Sequence, residues 1–437
     1  MKWTNYSKYF YKKKEDSLGD HGVKPKGDSL NNKRVALLVT GSVAAMSSPH
    51  LARELRKYGA DVQVFVTQDA LKHGTNESAL KWASWPNEVV TELTSASEHL
   101  SLVNPFDLYL VAPATANTIC KVAHGIGDTV VTSSLISAIG QGAKVMIAPA
   151  MHGSLHTPML DYAVSYLSSL GVYFVAPYDA FGKHNMADKD TIVADACSFV
   201  SESELKEVNI LVTAGPTPVK IDGVRRLTNK FSGKLGIVIA EELYRRGAKV
   251  HLLQSYSGIR PPRYLPHTLF DDFDDYYKKV QEHVAKCYSY GVFSAAVADY
   301  RPKEVLKGKT SSKGALQNIE LIGTHKVIDK VRELDPDLKM ISFKYEENKT
   351  NKELVEIARK RIIDNGHLAV VANDGTDRTS SGEQTAYLIS RTWFWFGKPK
   401  EDSIDEYACK LNGKKEIAKE VAGFLELDRR NFLRTSK

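Results

Sequence analysis

Cysteine is scarce in this chain: Cys120, Cys197, Cys287 and Cys409 are its four, far apart and without a CxxC pair. Such spacing suggests neither a disulfide framework nor a zinc site, and points to reduced thiols. Long apolar runs are also missing. No window offers the roughly 20 consecutive apolar residues that a membrane span requires, and the opening MKWTNYSKYFYKKKEDS lacks the apolar core of a secretory signal. A cytoplasmic protein with no membrane partner is expected. The net charge is +7 over 437 residues, but the basic residues are scattered rather than gathered into a stripe, so no nucleic-acid partner is expected. Phosphorylated small molecules account for the charge equally well.

The hydrophobic fraction of 43% is ordinary, and the length suggests two domains of about 200 residues each. Residues 1–32 are polar, Lys-rich and without apolar period, which predicts a flexible extension. From Arg34 short β-branched runs alternate with amphipathic segments: VALLVT, VQVFVT, LYLVAP at 108, VMIAP at 145 and VYFVAP at 172. This rhythm predicts a doubly wound parallel sheet, with Thr67, Pro113, Pro149 and Pro177 at the carboxyl edge where such sheets bind ligands. The segment SFVSESELKEV, 198–208, reads as a polar helical boundary. After it the rhythm restarts with NILVTAG and continues through VFSAAVAD, LKMISFKY, LAVVAND and TAYLIS. The fold expected is therefore α/β with two tandem Rossmann-like modules, residues 33–206 and 207–437.

The most particular stretch is TAGPTPVKIDGVRRLTNKFSGKLG, 213–236, where a strand runs into glycines, prolines and basic residues and then a helix. Loops of this kind hold phosphates, and the spacing is neither Walker A nor GxGxxG. The stretch resembles the synthetase half of the bifunctional phosphopantothenoylcysteine decarboxylase / phosphopantothenate-cysteine ligase family of coenzyme A synthesis, departing from it at Phe231, where Ser is usual. In that family CTP or ATP, with Mg²⁺, activates the carboxylate of 4'-phosphopantothenate for attack by L-cysteine. The resemblance implies that Asn229 steadies the acyl-nucleotide, and that Asp299, Lys309, His325, Lys326, Val327, Ile328, Phe343 and Arg361 form the nucleotide site. Lys344 and Tyr345 depart from two alanines, Arg361 stands where a Lys is usual, and Asn373 and Asp374 match an AND phrase. The resemblance implies CTP as the cosubstrate, through Asp299 and Lys309, the AVADYRP phrase and the fusion of the two halves.

In the first half, VTGSVAAM (39–46) ends a strand and opens a helix, fitting either a phosphate site or an ordinary turn. VAPATANTICKVAHGIGD (111–128) offers small residues with Thr115, Asn117 and Thr118 as an open polar floor for a flat ring. These phrases, with APAMH and the HLSL segment, resemble the flavin-containing cysteine decarboxylases over residues 34 to 195. There FMN takes electrons from the substrate thiol and the resulting thioaldehyde eases loss of the carboxylate. The resemblance implies FMN contacts at Gly41, Ser42, Thr67, Ala114, Thr115, Asn117 and Ser133, with His99 catalytic. His152 replaces an Asn that binds the substrate carboxylate, as in the archaeal branch. The loop DAFGKHNMAD (179–188) has no Cys where the bacterial enzymes carry an acid, so Lys183 and His184 are the candidate proton donors.

The function expected is ligation followed by FMN-dependent decarboxylation to 4'-phosphopantetheine. Two other readings stay open: a flavin-binding regulatory protein, and a ligase whose decarboxylase half is inactive. The family further implies a homo-oligomer, with a trimeric decarboxylase core and paired ligase domains.

Overall fold

A computed structural model of the chain describes residues 21–94, 104–180, 183–310, 318–380, 382–390 and 408–435, with the side chains at 179, 180, 183, 184 and 408 excepted. The chain divides into two compact units, residues 1–200 and 201–437.

In the first unit, strands β1 (Arg34–Val39), β2 (Asp61–Val66), β3 (Val89–Val90), β4 (Leu108–Ala114), β5 (Val145–Pro149) and β7 (Tyr173–Phe174) form one sheet in the order β3-β2-β1-β4-β5-β7. Every pairing is parallel. Parallel strands need crossovers, and helices Ser48–Arg56, Ala116–Ala123, Val130–Gly140, Pro158–Ser169 and Lys189–Val200 supply most of the cover. Side-chain alternation along β1 divides its apolar residues between two cores. Val35, Leu37 and Val39 enter one, Ala36 and Leu38 the other, which is why the strand is apolar throughout rather than alternating. Strand order reverses between β1 and β4, the place where such sheets open a crevice.

A small antiparallel sheet sits beyond β5: β6 (Met151–His152), β8 (Tyr178–Ala180) and β9 (Lys183–Asn185), in the order β6-β9-β8. Residues 21–32, part of the extension expected to be flexible, are held in place. Leu30 is fully buried, and the N–H groups of Lys26 and Leu30 donate to Lys57 O and Tyr58 O, each at 2.8 Å. Glu54, 1% exposed, supplies the reason. A carboxylate at that depth needs cations, and Lys26 and Lys57 both pair with it. Residues 1–20 lie outside the described residues.

The second unit is an eight-stranded sheet in the order β14-β13-β10-β15-β18-β19-β20-β21. Its strands are β10 (Asn209–Ala214), β13 (Lys249–Ser255), β14 (His267–Phe270), β15 (Tyr290–Phe293), β18 (Lys339–Glu346), β19 (Ala369–Asp374), β20 (Thr385–Ser390) and β21 (Ala408–Asn412). The first six are parallel; β20 and β21 run antiparallel at one edge. Two hairpins stand off the sheet, β11 (Val219–Lys220) with β12 (Arg226–Leu227) and β16 (Tyr300–Pro302) with β17 (Leu321–Gly323). Helices Lys234–Arg245 and Gly413–Thr435 cover one face, and helix Phe273–Val284 lies on the other.

Two sequence expectations need correction. Of the segment 198–208 only residues up to Val200 are helical, closing helix Lys189–Val200, and turns follow. The VFSAAVAD strand stops at Phe293; Ser294 still binds Thr213 O of β10, and from there Ala296 follows the loop after β10 by binding Gly215 O.

Candidate functional site

In the first unit the crevice between β1 and β4 is stitched by Thr40, whose Oγ1 donates to Pro113 O at 2.8 Å and accepts from Thr115 N at 3.2 Å. Thr40 is 1% exposed, and the sequence reading passed over it. Around this stitch the hydroxyls expected to hold flavin serve as helix N-caps. Ser42 accepts from Ala44 N, Thr67 from Ala70 N and Thr115 from Thr118 N. Their own O–H groups, and the helix amides, are what a ligand would meet. Gly41 has no space for a Cβ, which would lie 2.8 Å from Asp69 Cβ. Ala114 is buried at the end of β4, Asn117 is exposed in the first turn of helix Ala116–Ala123, and Ser133 donates to Gly127 O at 3.1 Å, tying down the glycine loop.

The PAM turn leads into β6. His152 is exposed, and its Nδ1 accepts from Ser154 N at 3.2 Å with Ser154 Oγ at 2.8 Å. With Nδ1 accepting, the neutral ring carries its proton on Nε2. The β6-β9 register sets His152 opposite Lys183 and Met151 opposite His184, so three residues expected to act on the same substrate share one small sheet. His99 lies outside the described residues.

In the second unit the phosphate-loop stretch folds against the end of β15. Asn229 is half-buried, with Nδ2 donating to Ala296 O at 2.8 Å and Oδ1 accepting from Phe231 N at 3.1 Å. Ser294 Oγ donates to Thr213 O at 2.8 Å, and Ala296 N to Gly215 O at 2.9 Å. Gly233 adopts φ of 81° and begins helix Lys234–Arg245 with no side-chain cap, so the first N–H groups of that helix keep their donor capacity. They open on a cavity of 180 Å³ lined by the loop 231–236 together with Ala296, Phe343, Tyr345, Asn373 and Lys414. Asn373, 9% exposed, has no partner for its buried Nδ2 there.

Of the other residues expected at the nucleotide, only Phe343 lines this cavity. Asp299 pairs with Lys326 at 2.7 Å. Burial pushes the Arg361 guanidinium down, while Asp299 and Asp329 oppose that shift. His325 and Lys326 are exposed, and Lys309 is exposed on its own loop. Val327 is not available through its side chain. It is 4% exposed in the core beneath helix Val327–Leu334, and Ile328 packs on the same core, leaving only their backbone N–H groups at the helix start to face a ligand.

The first half, residues 23–201, matches the family model "Flavoprotein", and residues 205–423 match the "DNA/pantothenate metabolism flavoprotein C-terminal domain". Over 373 residues the chain is 37% identical to the coenzyme A biosynthesis bifunctional protein CoaBC of Thermococcus kodakarensis, covering 84% of this chain and 91% of that protein. The chain belongs to the CoaBC family. It is 32% identical to the CoaBC of Methanocaldococcus jannaschii over 80% of this chain and 85% of that protein, and 29% identical to that of Bacillus subtilis over 90% and 97%.

Against the family pattern stated above, the chain carries two departures that touch. Phe231 and Tyr345 meet edge to face at 5.2 Å. Tyr345 Oη donates to Glu347 at 2.6 Å and accepts from Lys230 at 3.3 Å, the donation to Glu347 pushing its hydroxyl pKa up. Gly375 makes room for the ring: a Cβ there would lie 1.9 Å from Tyr345 Oη. Ser294, Ala296, Gln384 and Lys414 also line the cavity. They come from three places in the chain, and although Ser294 and Ala296 lie in the VFSAAVAD phrase, nothing local to Gln384 or Lys414 marks them.

Proposed function

We propose that the chain makes 4'-phosphopantetheine in two steps, ligating 4'-phosphopantothenate to L-cysteine in residues 201–437 and decarboxylating the product in residues 1–200. The observation that carries the ligase reading is the uncapped helix Lys234–Arg245 opening, with the partnerless Asn373 Nδ2, on one cavity. Oriented N–H donors and a buried amide suit an anion, and the Asp299–Lys326 pair suits a nucleotide. Asn229 bridges the phosphate loop to Ala296, where its amide can steady an acyl-nucleotide without adding charge. Phe343 offers its ring to the base, Lys309 its charge to the phosphates, and Lys326 and Arg361 balance Asp299. Among the described residues no group of three His, Cys, Asp or Glu side chains is placed to hold a metal ion, and Mg²⁺ would be carried mainly by the triphosphate. CTP is the proposed cosubstrate; a clear preference for ATP in parallel assays would overturn that choice.

In the first half the residues present fit FMN: Gly41 sits where a Cβ would fill the cradle, and Ser42, Thr67 and Thr115 turn helix N-termini toward one edge. Bound there, FMN supplies a two-electron acceptor for the substrate thiol. The protein's own part is to orient the substrate carboxylate on His152 and to move protons through His99 and through Lys183 or His184. Exposed Met159, Tyr162 and Leu155, at 68%, 61% and 50%, fit burial between copies, and a trimer of the first half with paired second halves in the cytoplasm is proposed.

The test is one incubation of purified protein with phosphopantothenate, cysteine, CTP and Mg²⁺, followed by mass. Phosphopantetheine is the expected product. Accumulation of phosphopantothenoylcysteine would leave only the ligase, and absence of both would overturn the reading. Decarboxylation at the wild-type rate in both Lys183→Ala and His184→Ala would remove those two as proton donors.

A further inference from the structure

We propose that Asp222 is a positioning residue for ligation, latching the loop that carries Lys309 onto the phosphate-loop hairpin. The proposal rests on the reading of Lys309 given above. Asp222 sits in the turn between β11 and β12, flanked by the exposed Gly223 and Val224, yet its side chain is fully buried. A carboxylate is held in such a place only when its oxygens are hydrogen-bonded. Here they are used by four donors. Oδ1 accepts from Val224 N at 2.8 Å and Arg225 N at 2.7 Å; Oδ2 accepts from the Arg225 guanidinium at 2.6 Å and from Thr310 N at 3.2 Å.

The first two bonds close a local turn of the kind Asp commonly makes. The Thr310 bond has another purpose, since it reaches 88 residues along the chain to the neighbour of Lys309. Arg225 completes it by donating to Thr310 O at 3.0 Å, so the residue after Lys309 is held at both its N–H and its C=O. The residue before Lys309 is held as well. Gly223 N donates to Gly308 O at 2.8 Å, and Leu306 N to Ile221 O at 3.0 Å. The two backbones meet so closely that a Cβ on Gly223 would stand 3.0 Å from Gly308 O and 3.3 Å from its Cα, and Gly308 turns with φ of +68°. Lys309 therefore lies between two tethered residues while its own side chain stays exposed. The hydrogen bonds, led by that from Arg225 N, hold the Asp222 carboxyl well below the usual carboxylate range, so the latch keeps its charge at neutral pH.

A lysine is a point charge on a flexible stem, and its use at a phosphate depends on where its backbone stands. Two functions of Asp222 can be separated by one atom. Asp222→Asn keeps an Oδ1 for the local turn but replaces the Oδ2 that accepts from Thr310 and Arg225 with an amide that cannot accept. In the full-length protein, Asp222→Asn is expected to lower ligation kcat/KM by about 10²-fold. It should leave decarboxylation of supplied phosphopantothenoylcysteine unchanged, and add nothing to the loss caused by Lys309→Ala. Tryptic cleavage after Lys307 and Lys309 should quicken about tenfold relative to other sites, as a local opening would make it. Additive losses in the Asp222→Asn, Lys309→Ala double variant, or cleavage at the wild-type rate, would overturn the latch. If Lys309→Ala is too slow to measure, the cleavage comparison decides alone. Should the wild-type chain fail to ligate at all, the parent reading falls, and unchanged or quickened cleavage still tells whether the tether exists.

Discussion

Gly236 sits where helix Lys234–Arg245 presses on the end of β10, and a methyl group there would lie 2.4 Å from Ser294 Oγ and 2.5 Å from Ala214 Cβ. Neither neighbour can retreat freely, because Ser294 Oγ is bound to Thr213 O and Ala214 is buried. Gly236→Ala is therefore expected to destabilise residues 201–437 by about 1–3 kcal/mol in urea titration, as overpacking does, and to displace the helix start that faces the cavity. Asn229 makes a different kind of demand. Changing it to Asp places an acceptor opposite Ala296 O, 2.8 Å from the atom it now binds, so the loop loses its bridge and gains a repulsion. Ligation by Asn229→Asp should fall about 10²-fold or more, with decarboxylation of supplied intermediate untouched; equal loss in both assays would argue for general misfolding. Asn229 was legible in the sequence because its whole phrase is contiguous. What it binds was not, since Ala296 arrives from a strand end 67 residues on.

Strands β13 and β14 and helix Phe273–Val284 enclose a stacked pair of imidazoles, His251 and His283, with centroids 4.3 Å apart. His251 faces Thr268 Oγ1 at 2.9 Å. Burial, then the neighbouring His283, Lys286 and His267, lowers its pKa to about 4; burial lowers His283 too. His367, 1% exposed behind Ser342, is likewise down at about 4 through burial and the nearby Arg361 and Arg332. His251 and His367 stay neutral in the folded chain until about pH 4, and His283 is displaced in the same direction, whereas an unfolded histidine titrates near 6.5. The unfolded chain thus takes up protons first, and stability is lost as pH falls from about 6.5 toward about 4, with no change above that window. Urea midpoints measured between pH 7.5 and 4.5 should show this decline, and His251→Gln should flatten it; a midpoint independent of pH would refute the assignment. The strands themselves were legible from their β-branched runs. Their lengths were less so, because the strand ending at Phe293 gives way to a stretch in which Ala296 binds the loop residue Gly215, a partner 81 residues away in the chain that no local pattern announces.

Each of the two units carries its own apolar core, the first built on β1, β2 and β4 and the second on β10, β13 and β15. Expressed separately, residues 21–200 and 201–437 should each fold. The second alone should release phosphopantothenoylcysteine from phosphopantothenate, cysteine and CTP, and the first alone should turn yellow and consume that intermediate. Insolubility of both fragments, or ligation only when both are present, would contradict this division. The tandem α/β plan was open to sequence reasoning because strand and helix periods repeat regularly. The packed segment 21–32 was not, since one apolar residue, Leu30, is fully buried in it and its other ties, Lys26 to Glu54, His21 on Trp85 and backbone bonds to Lys57 and Tyr58, all reach residues distant in the sequence.

The final helix of the second unit, Gly413–Thr435, buries Ile417, Val421, Phe424 and Leu425 in the same cluster as Ile210 and Val212 of β10. A strand translated near the start of the unit is thus covered by side chains translated near its end. Until that helix has cleared the ribosome, β10 and the phosphate loop behind it wait with an open flank, exposed to chaperones and proteases. The first half, whose core closes by Val200, can finish folding on the nascent chain while the ligase is still being made.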